Sequence, residues 1–364
     1  MSEHANNADS RTVSGLPALI SPKQFLFWAG LVLVIFGAAF ISAGLGAFET
    51  PYGSILRLLA APLFPDLSSG IDDTVRYIVL HVRLARICLA FLIGSALGLA
   101  GAVYQGVLLN PLADPFTLGI STGAAFGASL SILLGLGSIH FLGVSVLPAA
   151  AFAGALLALY LVYMLGSMDG RIHVVTIVLA GIIVSTFLSA MISLLKSLNE
   201  ESVSTIVFWI MGSLSGKSWA HVVLVLPYIA AGGAAICCFT RELDLLSLGD
   251  VQAQQLGVNV QRVRFWLLLA ASLITAAAVA VSGIIGFVGL VIPHLVRLAL
   301  GPRHRLLIPA SLLSGGLLVL VADSIARSIL PGGEEIPVGV VTALIGGPFF
   351  CYLLLRRKKQ LRLQ

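Results

Sequence analysis

Polar and apolar positions in this chain are sorted into long blocks, with neither the alternation of a half-buried strand nor the single apolar stripe of a soluble helix. A helix needs about 20 apolar residues to cross the hydrocarbon core of a bilayer. Ten stretches meet or approach that length, at 25–48, 84–108, 116–136, 142–165, 172–197, 219–240, 264–282, 287–300, 306–329 and 338–355. The first is too long for the core of a cleaved signal sequence, roughly 7–15 residues, and reads as a span. Gly283, Gly286, Gly289 and Pro293 interrupt the region of the seventh to ninth runs, which predicts a broken or partly re-entrant segment. Such backbone survives at membrane depth only where protein or a water-filled path covers it. The apolar piece from Ser204 to Gly212 is too short to span and is expected near the outer surface.

Composition supports this reading. Of 364 residues, 58% are hydrophobic and 10% charged, against roughly 25% charged in a soluble domain. The mean hydropathy is +1.04. A net charge of +5 raises the question of nucleic acid. The basic residues sit at the ends of apolar stretches and form no aromatic-interleaved patch, so no nucleic-acid partner is expected. Cys88, Cys237, Cys238 and Cys351 lie in apolar segments without metal-ligand spacing. They read as small packing residues, and no metal site or cofactor is expected.

Ten spans place both termini on one side, and Arg356, Arg357, Lys358 and Lys359 assign that side to the cytoplasm of a cell inner (plasma) membrane. The reading divides the chain into a disordered cytoplasmic tail at 1–24, a membrane domain at 25–356 and a basic cytoplasmic tail at 357–364. With this orientation fourteen of the 21 Lys and Arg face inward. Arg83, Arg86 and Arg327 are the exceptions, at span ends on the outer face. Snorkelling accounts for such residues; need for an acidic partner is the other reading. Ten spans also permit two inverted five-helix halves.

Several motifs fail on inspection. The segment from Gly212 to Ser218, with Gly216 and Lys217, looks like a phosphate loop, but it has three residues between its glycines where four are needed. It also lies in an outer loop between Trp209 and Trp219, so the chain is not expected to bind ATP through it, and energy, if ATP supplies it, must come from another subunit. Gly94 and Gly98, and Gly119, Gly123 and Gly127, are spaced for close helix packing. No catalytic residues emerge: Asp114 caps a turn in Asn110–Pro115, Asp323 precedes Arg327 by four residues as an intrahelical pair would, and His294 follows Pro293 with a freed carbonyl to bond. Ion-coupled transport would need interior acids, and Asp323 is the one good candidate.

The segment Leu243–Arg264 is polar and helix-favouring, with breaks at Gly249 and Gly257. It predicts two short helices on the cytoplasmic surface between the sixth and seventh spans, with Leu248, Val251, Leu256 and Val258 as an apolar docking patch. Lipid is the other surface such a loop could meet.

At this point the sequence resembles the FecCD family, the permease subunits of importers for iron–siderophore complexes, haem and vitamin B12. The motifs run from about residue 75 to the end. They are Arg83-Leu-Ala-Arg86, Gly94 to Gly101 with Gln105, Asn110-Pro-Leu-Ala-Asp-Pro115, Leu118 to Gly123, and Phe208 to Leu214. Leu248 to Gly257, Gly286 to Arg297, Ala322 to Arg327, and Glu335-Ile-Pro-Val-Gly339 follow in the same order. The family pattern has proline where this chain has Ala85.

The resemblance implies an all-α membrane protein of about ten helices that forms a homodimer around a central path. Two ATP-binding subunits would dock on a coupling loop at 243–263, through Leu248, Gly249, Asp250, Ala253, Leu256, Gly257 and Val258. A periplasmic or lipid-anchored substrate-binding protein would dock at Arg83, Arg86 and Arg327. Gln105, Asn110, Pro111, Pro293 and His294 are the family-motif positions tied to the path. The cargo implied is an iron complex, ferric siderophore or haem, with a corrinoid as the alternative.

Overall fold

A computed structural model describes residues 22–361, except 47, 142–143, 169–170 and 331–332. The expected tail at 1–24 therefore lies largely outside the described residues, and helix α1 (Pro22–Gly44) begins at its end. The chain is mostly helical. After α1 come α2 (Tyr52–Ala60), α3 (Asp73–Tyr77), α4 (Leu84–Val107), α5 (Ile120–Leu133), α6 (Leu147–Gly166), α7 (Val174–Leu198), α8 (Glu200–Ile210) and α9 (Trp219–Cys238). The remainder are α10 (Thr240–Leu246), α11 (Asp250–Gln255), α12 (Val260–Ser282), α13 (Val288–Leu300), α14 (His304–Ala326) and α15 (Val338–Leu361). Two tiny antiparallel hairpins, His140–Ser145 and Ser167–Ile172, flank α6.

Among the described residues seven helices are long and apolar enough to cross a membrane, and the apolar helices Ile120–Leu133, Val288–Leu300 and Val338–Tyr352 are shorter. All of them fall on the apolar runs read from the sequence. Their outward faces carry large bare hydrophobic side chains, among them Leu33, Phe36, Val175, Ile183, Phe187, Val223 and Leu344. That surface suits lipid and does not suit water.

Helix α4 is the axis of the bundle. Its apolar window is 83% buried, against 6% for α1, and α14, α12, α13 and α9 pack around it. Small residues permit the packing: a Cβ on Gly94 would lie 2.2 Å from the carbonyl oxygen of Gly315, and one on Gly101 would lie 2.1 Å from that of Gly289. The glycines expected to serve packing do so within the chain, since Gly123 and Gly127 meet Gly154 and Ala150 of α6 in the same way. With Ala85 the helix runs on from Asp73 to Val107 through a π turn at Ile78–Arg83.

The predicted break falls between α12 and α13. Gly283 has φ +70 and Phe287 φ +67, and the non-helical backbone is covered by protein: Ser213 N–H donates to the Ser282 carbonyl at 2.8 Å, and Gly212 and Gly339 close on the Ile284 carbonyl. Its backbone is thus shielded from lipid, as the physics requires.

Candidate functional site

Two polar clusters lie at opposite ends of α4, a helix of 24 residues and thus about 36 Å long. At its N-terminal end Arg83 and Arg86 fall three residues apart on one face. Both are buried, as is Arg327. Arg86 is the hub. Its Nε donates to both oxygens of Asp323 at 3.1 and 3.0 Å, and its Nη2 to Asp323 Oδ1 at 2.8 Å. Its Nη1 and Nη2 also reach Glu335 at 2.7 and 2.9 Å. Asp323 is fully buried. Burial would raise the Glu335 carboxyl, but the Arg86 guanidinium outweighs it and holds Glu335 below the usual carboxylate range.

The intrahelical pair expected between Asp323 and Arg327 exists at 3.6 Å, too long for a hydrogen bond. Asp323's main partner is Arg86, from a helix distant in sequence. Arg327 instead donates to the carbonyls of Ser42 and Leu45, at 2.7 and 3.1 Å, and to the Ser42 hydroxyl. Arg83 donates to the carbonyls of Ala43 at 2.7 Å, Gly44 at 3.1 Å and Phe48. Both thereby satisfy carbonyls left open at the end of α1. The three arginines are therefore not free surface charges: they tie α1, α4 and α14 together, with three guanidiniums against two carboxylates.

At the other end of α4, Gln105 donates to the carbonyls of Gly289 and Leu290 at 3.1 and 3.3 Å and accepts from Arg297 at 3.1 Å, locking α4 to α13. Asn110 Oδ1 accepts from Leu112 N–H and Asp114 Oδ1 from Phe116 N–H, both at 2.9 Å, so these residues cap turns as expected. Asp114 is wholly enclosed, and desolvation pushes its carboxyl up to about 7. Pro111 is exposed and Pro293 buried inside α13. His294 is half-buried, and its ring makes none of the expected hydrogen bonds to described residues.

The loop beside this end forms the two short helices expected, α10 and α11. Gly249 with φ +105 and Gly257 with φ +85 bound α11. Leu248, Val251 and Leu256 are exposed at 57%, 64% and 57%. Ala253 is fully buried and Val258, partly buried, packs on the core, so these two anchor the loop. Arg264, missed from sequence, ties the loop to the bundle. Its Nη2 and Nη1 grip Asp250 at 2.8 and 3.2 Å, and Nη1 also reaches the Ile172 carbonyl at 3.3 Å, just before α7. Asp244 accepts from His304 N–H at 2.8 Å and contacts His304 Nδ1 at 2.7 Å, joining α10 to α14. A basic residue one turn into a span, paired to an acid in the preceding loop, was the available sequence signal. Among the described residues no group of His, Cys, Asp and Glu could hold a metal ion.

The profile of the FecCD transport family matches residues 31–356, an earlier start than the motifs alone suggested. The cobalamin import system permease protein BtuC of Halobacterium salinarum is 42% identical over 308 residues, covering 85% of this chain and 80% of that one. The Fe(3+) dicitrate transport system permease protein FecD of Escherichia coli is 38% identical over 90% of this chain and 98% of its own. A solved structure of an ABC transporter assigned to the metal-chelate type, in an inward-facing conformation, superposes with TM-score 0.78 at 32% identity. The match covers 91% of this chain and 99% of that one.

Proposed function

The chain belongs to the FecCD transport family, and from that premise we propose that it forms a homodimer of ten-helix subunits that moves a metal complex inward by alternating access. It is an ABC importer permease, a transport subunit of the membrane rather than an enzyme. That class implies ATP-binding subunits and a substrate-binding protein. The observation that carries the reading is the family match over residues 31–356 on a bundle whose exposed apolar loop residues and arginine cluster occupy opposite ends of one central helix.

In this reading two ATP-binding subunits seat on Leu248, Val251 and Leu256, with Gly249, Asp250 and Gly257 shaping the loop. Both termini are cytoplasmic. Closure of those subunits moves α10 and α11, and Arg264 carries the displacement to the start of α7 through Ile172. The substrate-binding protein seats at the outer end, drawn by the one net positive charge of the cluster of Arg83, Arg86 and Arg327; such charge sets orientation and association rate. Ferric siderophore or haem is the favoured cargo class, with a corrinoid as the alternative.

The test is uptake into proteoliposomes by the chain with its ATP-binding and substrate-binding partners, offered ferric citrate, haem and cobalamin in parallel. ATP-dependent uptake of one cargo is expected. Uptake that ignores ATP and follows an ion gradient refutes the proposal.

A further inference from the structure

The loop from Gly212 to Ser218 fails as a nucleotide site, yet it walls a cavity of about 240 Å³, whose Ser215 also bonds Glu335 of the arginine cluster. Thr205 and Trp209 of α8 form one side, Ser213, Ser215 and Lys217 of the loop another, and the end of α12 closes it. Gly212 and Gly216, with φ +73 and +69, let the loop turn. The bond from Ser213 N–H to the Ser282 carbonyl holds the loop to α12.

Lys217 is half-buried in this wall; its backbone N–H donates to the Leu214 carbonyl at 3.4 Å, and its ammonium makes no hydrogen bond or ion pair with any described residue. Burial alone pushes its ammonium below the ordinary lysine range. Glu335, which the cavity-lining Ser215 reaches, is already held by two nitrogens of Arg86 and by the Ser215 hydroxyl. Ser213 Oγ accepts from Ser215 N–H at 3.1 Å, which leaves its own proton to donate. A partly desolvated cation without a counter-ion is costly, and His221, the titratable group with which it interacts by charge, is disfavoured as a cation by burial and by the same ammonium. The cavity thus offers an unpaired ammonium and a free hydroxyl proton to an anion.

We propose that this cavity takes a carboxylate group of an anionic cargo at the outer end, so that the importer's substrates are metal chelates of the carboxylate type. The proposal rests on the importer reading for the word cargo, while the binding site stands on its own geometry. The volume is below the roughly 300–1,000 Å³ of whole-ligand pockets, which fits one carboxylate arm and not an entire chelate. A neutral cargo would leave Lys217 unpaired.

The experiment uses the full chain in phosphatidylcholine nanodiscs, titrated with citrate and read by tryptophan emission. Trp209→Phe identifies the signal of the cavity among the four tryptophans. Citrate is expected to give a saturable change that Trp209→Phe loses. Lys217→Met should weaken the apparent Kd about tenfold or more, about 1.4 kcal/mol, while Lys217→Arg stays within about threefold. Triethyl citrate, which has the same skeleton without the charges, should be silent. The proposal is overturned if citrate gives no response in the wild type, if Lys217→Met binds it equally, or if triethyl citrate matches it. It is also overturned if inorganic phosphate binds more tightly than citrate, or if phosphatidylglycerol added to the bilayer displaces citrate, since the site would then belong to phosphate or a lipid headgroup. No ATP-binding subunit enters this measurement. Failed uptake with citrate binding intact sinks only the importer reading, and intact uptake with no citrate binding sinks only this one.

Discussion

Replacing Arg86 by Met isolates the cost of a buried charge in this bundle. The substitution keeps most of the aliphatic stem and removes five charged hydrogen bonds, three to Asp323 and two to Glu335. Glu335 has 28% of its side chain exposed and can recover water; Asp323 has none. Asp323 would be left with Arg327 alone, at 3.6 Å and without a hydrogen bond. Removing one member of a buried pair costs about 3–5 kcal/mol, and the remaining Arg327 places the expectation near the lower end, about 3 kcal/mol. Adding Asp323→Asn removes the orphaned charge, so the double variant should recover about 1–2 kcal/mol of that loss. Glu335→Gln, at the wetter end, should cost about 1 kcal/mol. The assay is equilibrium unfolding of the purified chain in mixed micelles with increasing denaturing detergent. A loss under about 1 kcal/mol for Arg86→Met, or strict additivity in the double variant, would show a solvated cluster and refute the reasoning.

Other predictions follow from the same geometry. Gly101→Leu should abolish a monodisperse fold, because even a Cβ there falls 2.1 Å from the Gly289 carbonyl oxygen; size-exclusion chromatography in detergent reads it. Asp114 has a folded pKa raised to about 7 by desolvation, from 3.8, so between those values the folded state holds the extra proton and stability falls as pH rises. At about 1.4 kcal/mol per pH unit the loss is on the order of 4 kcal/mol, and a thermal-unfolding series should show Tm dropping from pH 4 to 8 in the wild type and flattening in Asp114→Asn. Arg264→Met should leave ATP hydrolysis by the assembled complex largely intact while cutting uptake at least about tenfold, since it severs Asp250 from Ile172; parallel loss of both activities would count against a transmission role. Leu256→Asp, at an exposed apolar position, should reduce co-purification of the ATP-binding subunit without changing Tm.

Much of this protein is written in local pattern, and the physical reason is that the bilayer constrains each segment separately. A span must be apolar over its own length and must satisfy its own backbone, so the runs at 84–108 and 172–197 announce α4 and α7 without reference to any neighbour. Gly249 and Gly257 likewise mark the ends of α11 because a positive φ is a local demand. The helical fold class, the two short helices of the 243–263 loop and the broken segment before α13 were legible for these reasons, and the family resemblance rested on the same residues in order. Pairing between distant residues was not legible. Asp323 and Arg327 are four apart and suggest each other, but the decisive partner of Asp323 is Arg86, brought to it by glycines that let α4 and α14 touch. Arginines that looked like free outer charges turned out to close the end of α1, and Ala253 and Val258 of the docking loop turned inward. Lys217 shows the other side of the same limit: its ammonium has no hydrogen-bond or ion-pair partner among the described residues, which only a folded chain can reveal. Sequence alone determined which segments are apolar enough to cross a membrane; tertiary structure decided which charges meet each other, because electrostatics acts across the contacts that packing creates.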